Sequence, residues 1–234
     1  MGKPIRVAIL DDHQAIIDGY LYRLKSAHDI EVTATMLYGE ELEPALMSQK
    51  IDLLLLDLQV PIGPGNPNPF PILHELPRLL QAHPALDVLV ISMHAQPALI
   101  QAVMEAGASG YILKEDMAAF RELASVIRSV TNQGIYLSPA AFQALSKRKN
   151  GDIAQPLSPR QLQALSLCAA YPDASTAELA EKMEIAHSTF RNLLSGTYVK
   201  LNVRNRASAV LRAEQIGLMP PKPITSSRNF DESL

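Results

Sequence analysis

The sequence predicts an α/β fold: a doubly wound, five-stranded parallel-sheet domain followed by a second, all-α domain. Three observations carry this. In the first half, five short apolar segments alternate with helix-patterned stretches, as βαβ units do. After Leu157 every patterned stretch is helical and bounded by start and stop signals. The halves also differ in charge. Residues 1–140 carry 9 Lys and Arg against 16 Asp and Glu, and residues 152–219 carry 7 against 6, which points to different partners.

Strands are expected over residues 6–10, 31–36, 52–58, 88–92 and 110–113. The run Leu53-Leu54-Leu55-Leu56 is apolar at every position, the pattern of a parallel strand covered on both faces. Helices are expected over about 13–26, 40–49, 72–81, 97–106 and 117–133. These elements set a first domain at 1–133. Residues 134–156 read as a linker with a short helix at 139–145. The second domain, 157–219, opens at Ser158-Pro159, a capping serine with proline in the first turn. Further helices follow residues 173–176, span 187–201, and run over 205–216 up to Gly217. The tail 220–234 is polar and proline-bearing and is expected to be disordered.

Hydrophobic residues make up 47% of the chain, enough for packed cores. Cys168 is the single cysteine. It excludes an internal disulfide, and its apolar surroundings make it a buried small hydrophobe rather than a reactive thiol. No N-terminal basic-then-apolar segment suggests secretion, and no apolar run reaches the roughly 18 residues that a membrane span needs. The expectation is a soluble, cytoplasmic protein with no membrane partner.

The most specific signal is a convergence of polar residues at strand ends. Asp11 and Asp12 follow the first strand, Asp57 ends the third, Ser92 ends the fourth and Lys114 follows the fifth. All five fall at the carboxyl edge of the sheet, where such folds bind ligands. A lone aspartate at a strand end is ordinarily a turn or cap residue; five converging groups are not explained that way. Crowded carboxylates call for a hard divalent cation, and Mg²⁺ with oxygen ligands suits them. A carboxylate can attack a phosphoryl group. Lys114 and the Ser92 hydroxyl can then meet the phosphoryl oxygens.

Residues 5–133 resemble the receiver domain of two-component response regulators. The landmarks are Ile9-Leu10-Asp11-Asp12-His13, Leu56-Asp57-Leu58, Val90-Ile91-Ser92-Met93-His94 and Gly107-Ala108-Ser109-Gly110-Tyr111-Ile112-Leu113-Lys114. The resemblance implies that a sensor histidine kinase phosphorylates Asp57. It implies that Asp11, Asp12 and Asp57 hold Mg²⁺ with the backbone carbonyl of Gln59. Ser92 would move towards the phosphoryl group and Tyr111 would swing inward; an ordinary half-buried strand tyrosine is the competing reading. Gln59 and His94 would flank the phosphoryl group. One departure is the long proline-rich loop 60–71, read either as a kinase-recognition or shielding element or as a tolerated surface insertion.

Residues 157–219 resemble the LuxR-type helix-turn-helix output domain of the NarL/FixJ class. The landmarks are Leu157-Ser158-Pro159-Arg160, Ser175-Thr176-Ala177-Glu178-Leu179-Ala180 and Lys200-Leu201-Asn202-Val203-Arg204-Asn205-Arg206. In that family the third helix enters the DNA major groove. Helical spacing turns Phe190, Leu194, Thr197 and Leu201 inward. Arg191, Asn192 and Ser195 match base-contacting positions, and Lys200, Arg204 and Arg206 are candidate phosphate contacts. Ala186, Glu184, Leu193 and Gly196 depart from the family pattern. Gly196 either admits a close approach to DNA or marks a weakened helix.

Together these imply a DNA-binding transcriptional response regulator, gated at Asp57 and acting as a homodimer when phosphorylated. At rest the receiver is expected to mask the recognition helix. The alternative is a partner-dependent regulator that works through an auxiliary protein, with weak or phosphorylation-independent DNA binding. A turnover enzyme is not expected: a phosphohydrolase needs a general acid two residues after the nucleophile, and Gln59 cannot protonate a leaving group.

Overall fold

The computed structural model describes residues 3–146 and 157–223. The element order is β1 (Ile5–Leu10), α1 (Gln14–Leu24), β2 (Ile30–Met36), a 3₁₀ turn (Gly39–Glu41), α2 (Leu42–Ser48), β3 (Leu53–Leu56), β4 (Pro61–Gly63), β5 (Asn66–Pro69), α3 (Ile72–Ala82), β6 (Asp87–Ser92), α4 (Pro97–Glu105), β7 (Gly110–Leu113), α5 (Met117–Arg121), α6 (Leu123–Thr131), β8 (Tyr136–Leu137) and α7 (Pro139–Ser146), then α8 (Pro159–Ala170), α9 (Thr176–Lys182), α10 (His187–Leu201) and α11 (Arg206–Gln215).

The main sheet is parallel with strand order β2-β1-β3-β6-β7-β8. Side chains alternate between its faces. Ala8, Leu10, Leu54, Leu56, Val88 and Val90 join the core under α2, α3 and α4. Val7, Ile9, Leu53, Leu55, Leu89 and Ile91 join the core under α1 and α6. The doubly wound plan is therefore as the apolar runs indicated.

Three expectations need correction. The sheet has six strands, because β8 pairs parallel with β7 through Gly110↔Tyr136 and Tyr111↔Leu137. The sheet domain thus runs past residue 133, and α7 packs on α4 and β7 instead of standing in a linker. The remainder of that linker, 147–156, lies outside the described residues. The helix expected over 117–133 is two, broken at Glu122, whose φ of −104° and ψ of 18° leave the helical region. The proline-rich loop is an antiparallel hairpin, β4 with β5, pairing Pro61 with Pro69 and Gly63 with Asn66. It packs on the 3₁₀ turn and on α8, so it is a built part of the fold.

In the second domain the caps act as read. Ser158 with Gln161, and Ser175 with Glu178, form reciprocal capping boxes. Helix α8 lies against α3, and the core under α2–α4 continues through α8 to Phe190 and Leu194 of α10. The tail expected to be disordered from Pro220 packs at its start: Pro220 and Pro223 are buried, following the buried Leu218 and Met219 at the end of the output domain. Residues 224–234 lie outside the described residues. No helix among the described residues is long and apolar enough to cross a membrane.

Candidate functional site

Parallel register assembles the acidic pocket. Leu10 pairs with Leu56 and Ser92 with Leu113, so the residues that follow these strands emerge at one edge. Lys114 is fixed there by its N–H bond to the Ser92 carbonyl, 2.8 Å. Its Nζ donates to Asp11 Oδ2 at 2.8 Å and to Asp57 Oδ2 at 2.7 Å. Asp11 and Asp57 are buried, while Asp12 is half-buried. Burial, then the charge of Asp57, holds the Asp11 carboxyl above its usual value despite Lys114. Burial likewise raises Asp12. Burial pulls the Lys114 ammonium down, but Asp57 and Asp11 together outweigh it and raise it.

One ammonium bridges two of the three carboxylates, which leaves an excess of negative charge in a pocket of low dielectric. Ligand atoms of Asp11, Asp12, His13 and Asp57 lie within 4.8 Å of one another. This oxygen-rich set fits a hard divalent cation. His13 was not among the residues singled out from sequence; its Nδ1 lies 2.8 Å from Asp12 Oδ1. The Gln59 N–H reaches Asp57 Oδ1 at 3.3 Å, and its side chain donates to the Pro221 carbonyl at 3.4 Å.

Ser92 is fully buried, and its Oγ accepts from the His94 N–H at 3.2 Å. Tyr111 is fully buried too, not half-buried: its hydroxyl donates to the His94 carbonyl at 2.7 Å. Both switch candidates therefore grip the same loop between β6 and α4. Tyr111 occupies the inward position.

On α10, Phe190, Leu194, Thr197 and Leu201 are buried, as their spacing required. The Thr197 hydroxyl is satisfied by the Leu193 carbonyl at 2.8 Å. Arg191, Asn192, Ser195 and Arg204 are exposed. Among the described residues the receiver packs chiefly on α8 and reaches the α9–α10 turn through Arg78 and Glu184, 3.6 Å, so the exposed side chains of Arg191, Asn192 and Ser195 do not show the expected mask. Lys200 Nζ donates to Gln161 Oε1 at 3.0 Å, so its ammonium is turned onto the start of α8. Arg206 donates from both Nη atoms to the carbonyls of Pro172 and Ala174. It clamps the α8–α9 loop rather than facing outward as a phosphate contact. Gly196 faces α8: a Cβ there would lie 2.9 Å from Gln161 Nε2, the end of a side chain that can shift, so glycine eases this packing without being required by it. Glu184 stands in the left-handed region, φ 54°, where glycine costs less.

Comparison with known proteins agrees with this geometry. The family model described as response regulator receiver domain matches residues 7–128. The model for bacterial regulatory proteins of the luxR family matches residues 155–213. The chain belongs to the response regulator family, with a receiver domain and a LuxR-type DNA-binding domain of the NarL/FixJ class. It is 27% identical over 213 residues to the transcriptional regulatory protein DesR of Bacillus subtilis, covering 91% of this chain and 98% of that protein. It is 29% identical over 218 residues to the transcriptional regulatory protein MctR of Rhizobium johnstonii, covering 92% and 95%. Among solved structures, RcsB from Salmonella enterica serovar Typhimurium, bound to promoter rprA in the presence of the phosphomimetic BeF3-, superposes with a TM-score of 0.61 at 21% identity. The match covers 90% of this chain and 98% of that one, and at that identity it shows the shared fold.

The clamp role of Arg206 has a measurable consequence. Arg206→Ala is expected to destabilise the output domain by about 2–3 kcal/mol, the worth of hydrogen bonds from a charged donor. The salt dependence of DNA affinity should not change. Urea unfolding and a salt titration check this; unaltered stability with a shallower salt slope would return Arg206 to the phosphate contacts.

Proposed function

We propose that this chain is a transcription factor whose DNA binding is gated by phosphorylation of Asp57. The observation that carries the reading is the half-buried Lys114 ammonium bridging Asp11 and Asp57 at the carboxyl edge of the sheet. A sensor histidine kinase is the donor. An Asp57 oxygen attacks the phosphorus of a phosphohistidine, the P–N bond breaks, and the kinase imidazole leaves as the O–P bond forms. Lys114 remains beside the phosphoryl oxygens and neutralises their charge. Asp11, Asp12, Asp57 and the Gln59 carbonyl would hold Mg²⁺. When bound, that ion supplies charge neutralisation and fixes the in-line geometry. Ser92 then turns its hydroxyl from the His94 N–H to a phosphoryl oxygen, and Tyr111 holds the β6–α4 loop that follows. The chain is a phosphoacceptor rather than a turnover enzyme, and its place is the cytoplasm, with the DNA.

The output is operator DNA, read by Arg191, Asn192 and Ser195 from the exposed face of α10. Two chains related by a two-fold axis would match a palindromic site. The test is selection of genomic fragments by the purified protein with and without Mg²⁺ and beryllofluoride. A shared two-fold motif, enriched further by beryllofluoride, is expected; no enrichment in either state would favour a partner-dependent regulator. Arg191→Ala should cost roughly 1–3 kcal/mol of discrimination at one base pair. Binding to a panel of operator variants measures it, and an equal loss on every sequence would make Arg191 a phosphate contact.

A further inference from the structure

The segment after α11 does not trail into solvent. Gly217 ends the helix in the left-handed region, φ 69°, with the Leu218 N–H bonded to the Ala213 carbonyl at 2.8 Å. It lies so close to the receiver that a Cβ at Gly217 would sit 2.3 Å from Gln96 Cγ. Leu218, Met219 and Pro220 are buried, and the Pro221 carbonyl accepts from Gln59 Nε2 at 3.4 Å. Gln96 lies in the loop that follows β6, and Gln59 in the loop that follows β3. These strands are neighbours in the sheet, and Asp57 opens the β3 loop. The output domain therefore lays a proline-bearing span against both loops that border the phosphoacceptor pocket. Three of its seven residues are prolines, which need no partner for a backbone N–H and stiffen it.

We propose that residues 217–223 form a strap by which the output domain closes over Asp57, held by the same Gln59 side chain that a phosphoryl group on Asp57 would engage. This rests on Asp57 being the phosphoacceptor. Seating of the strap and phosphorylation are then mutually antagonistic. By linkage, whatever lifts the strap promotes phosphorylation, and phosphorylation loosens the strap. Asp57 is 5% exposed, and the strap meets a residue of each of the two loops beside it, Gln59 and Gln96. The hold on Gln59 also ties the output domain's position to the residue beside the acyl phosphate.

Gly217→Val, in the full chain, places a branched side chain at a strained φ and against Gln96, and should lift the strap. If the open fraction at rest is about 10% or less, Asp57 labelling from acetyl phosphate should speed up about tenfold or more. A second measurement needs no substitution: amide exchange over residues 217–222, with and without Mg²⁺ and beryllofluoride, should rise with the phosphoryl mimic. It decides the matter alone should Gly217→Val unfold α11. Equal labelling rates together with unchanged exchange would overturn the strap and leave Asp57 as phosphoacceptor. No label in either chain would overturn the phosphoacceptor reading and the strap with it.

Discussion

Asp57→Asn is expected to abolish labelling by acetyl phosphate altogether. An amide oxygen is too weak a nucleophile to displace acetate from phosphorus, and no other carboxylate is placed to replace it. Asp11 is buried and tied to Lys114 at 2.8 Å; Asp12 points at His13. The substitution is nearly isosteric, and the amide oxygen can still accept from Lys114, so the fold should survive. Autoradiography beside a circular dichroism melt separates lost chemistry from lost structure. Retained label in a folded Asp57→Asn chain would move the acceptor to Asp11 or Asp12.

Acid is expected to loosen the contact between the domains. His74 of α3 is 4% exposed, its Nε2 has no hydrogen-bond partner, and it lines a cavity of about 560 Å³ shared with α8 and α9. Burial, then Arg78, brings its pKa down from 6.5 to about 4; Arg160 and Lys182 push the same way, and the Lys182 backbone opposes them. The neutral ring is thus the form that fits the closed contact. Above pH 6.5 both closed and open forms hold it neutral. Between 6.5 and about 4 only the open form takes up the proton, so closure weakens as pH falls, by up to roughly 3 kcal/mol. Glu75, raised by burial, is protonated more readily when closed and returns part of this. The ion pair of Arg78 with Glu184 at 3.6 Å is too exposed to alter the sign. Small-angle scattering should show expansion between pH 7 and 5 in the native chain and less in His74→Gln. A constant radius of gyration in the native chain would refute it.

Much of the receiver was legible because its information is local. The apolar runs announce buried strands, and the residues that end them are the pocket. The inward set Phe190, Leu194, Thr197 and Leu201 follows from a 3.6-residue period alone. What was missed depends on distant partners. Tyr136 and Leu137 are too short a segment to show a period and become a strand only beside Gly110 and Tyr111. Prolines at 61 and 69 argue against strands, yet a two-stranded hairpin tolerates them. Arg206 looked like a phosphate contact because a free arginine and a clamp read alike; the carbonyls that claim it lie 32 and 34 residues earlier. Gly196 meets Gln161 of another helix, a neighbour no local pattern announces. The residues from Pro220 read as a loose tail because their composition is polar and proline-bearing, yet Pro220 and Pro223 are buried.

The shared apolar core bears on how separable the two halves are. Leu73 and Ala102 of the receiver face Leu162 of α8 around a small cavity of about 200 Å³, inside a cluster that runs on to Phe190. A receiver excised after α7 would carry this seam as a sticky face, and an output domain grafted from elsewhere would have to bring its own complement to it. The chain reads as two modules in tandem, but its interior has made them a matched pair: swapping either half means redesigning the other.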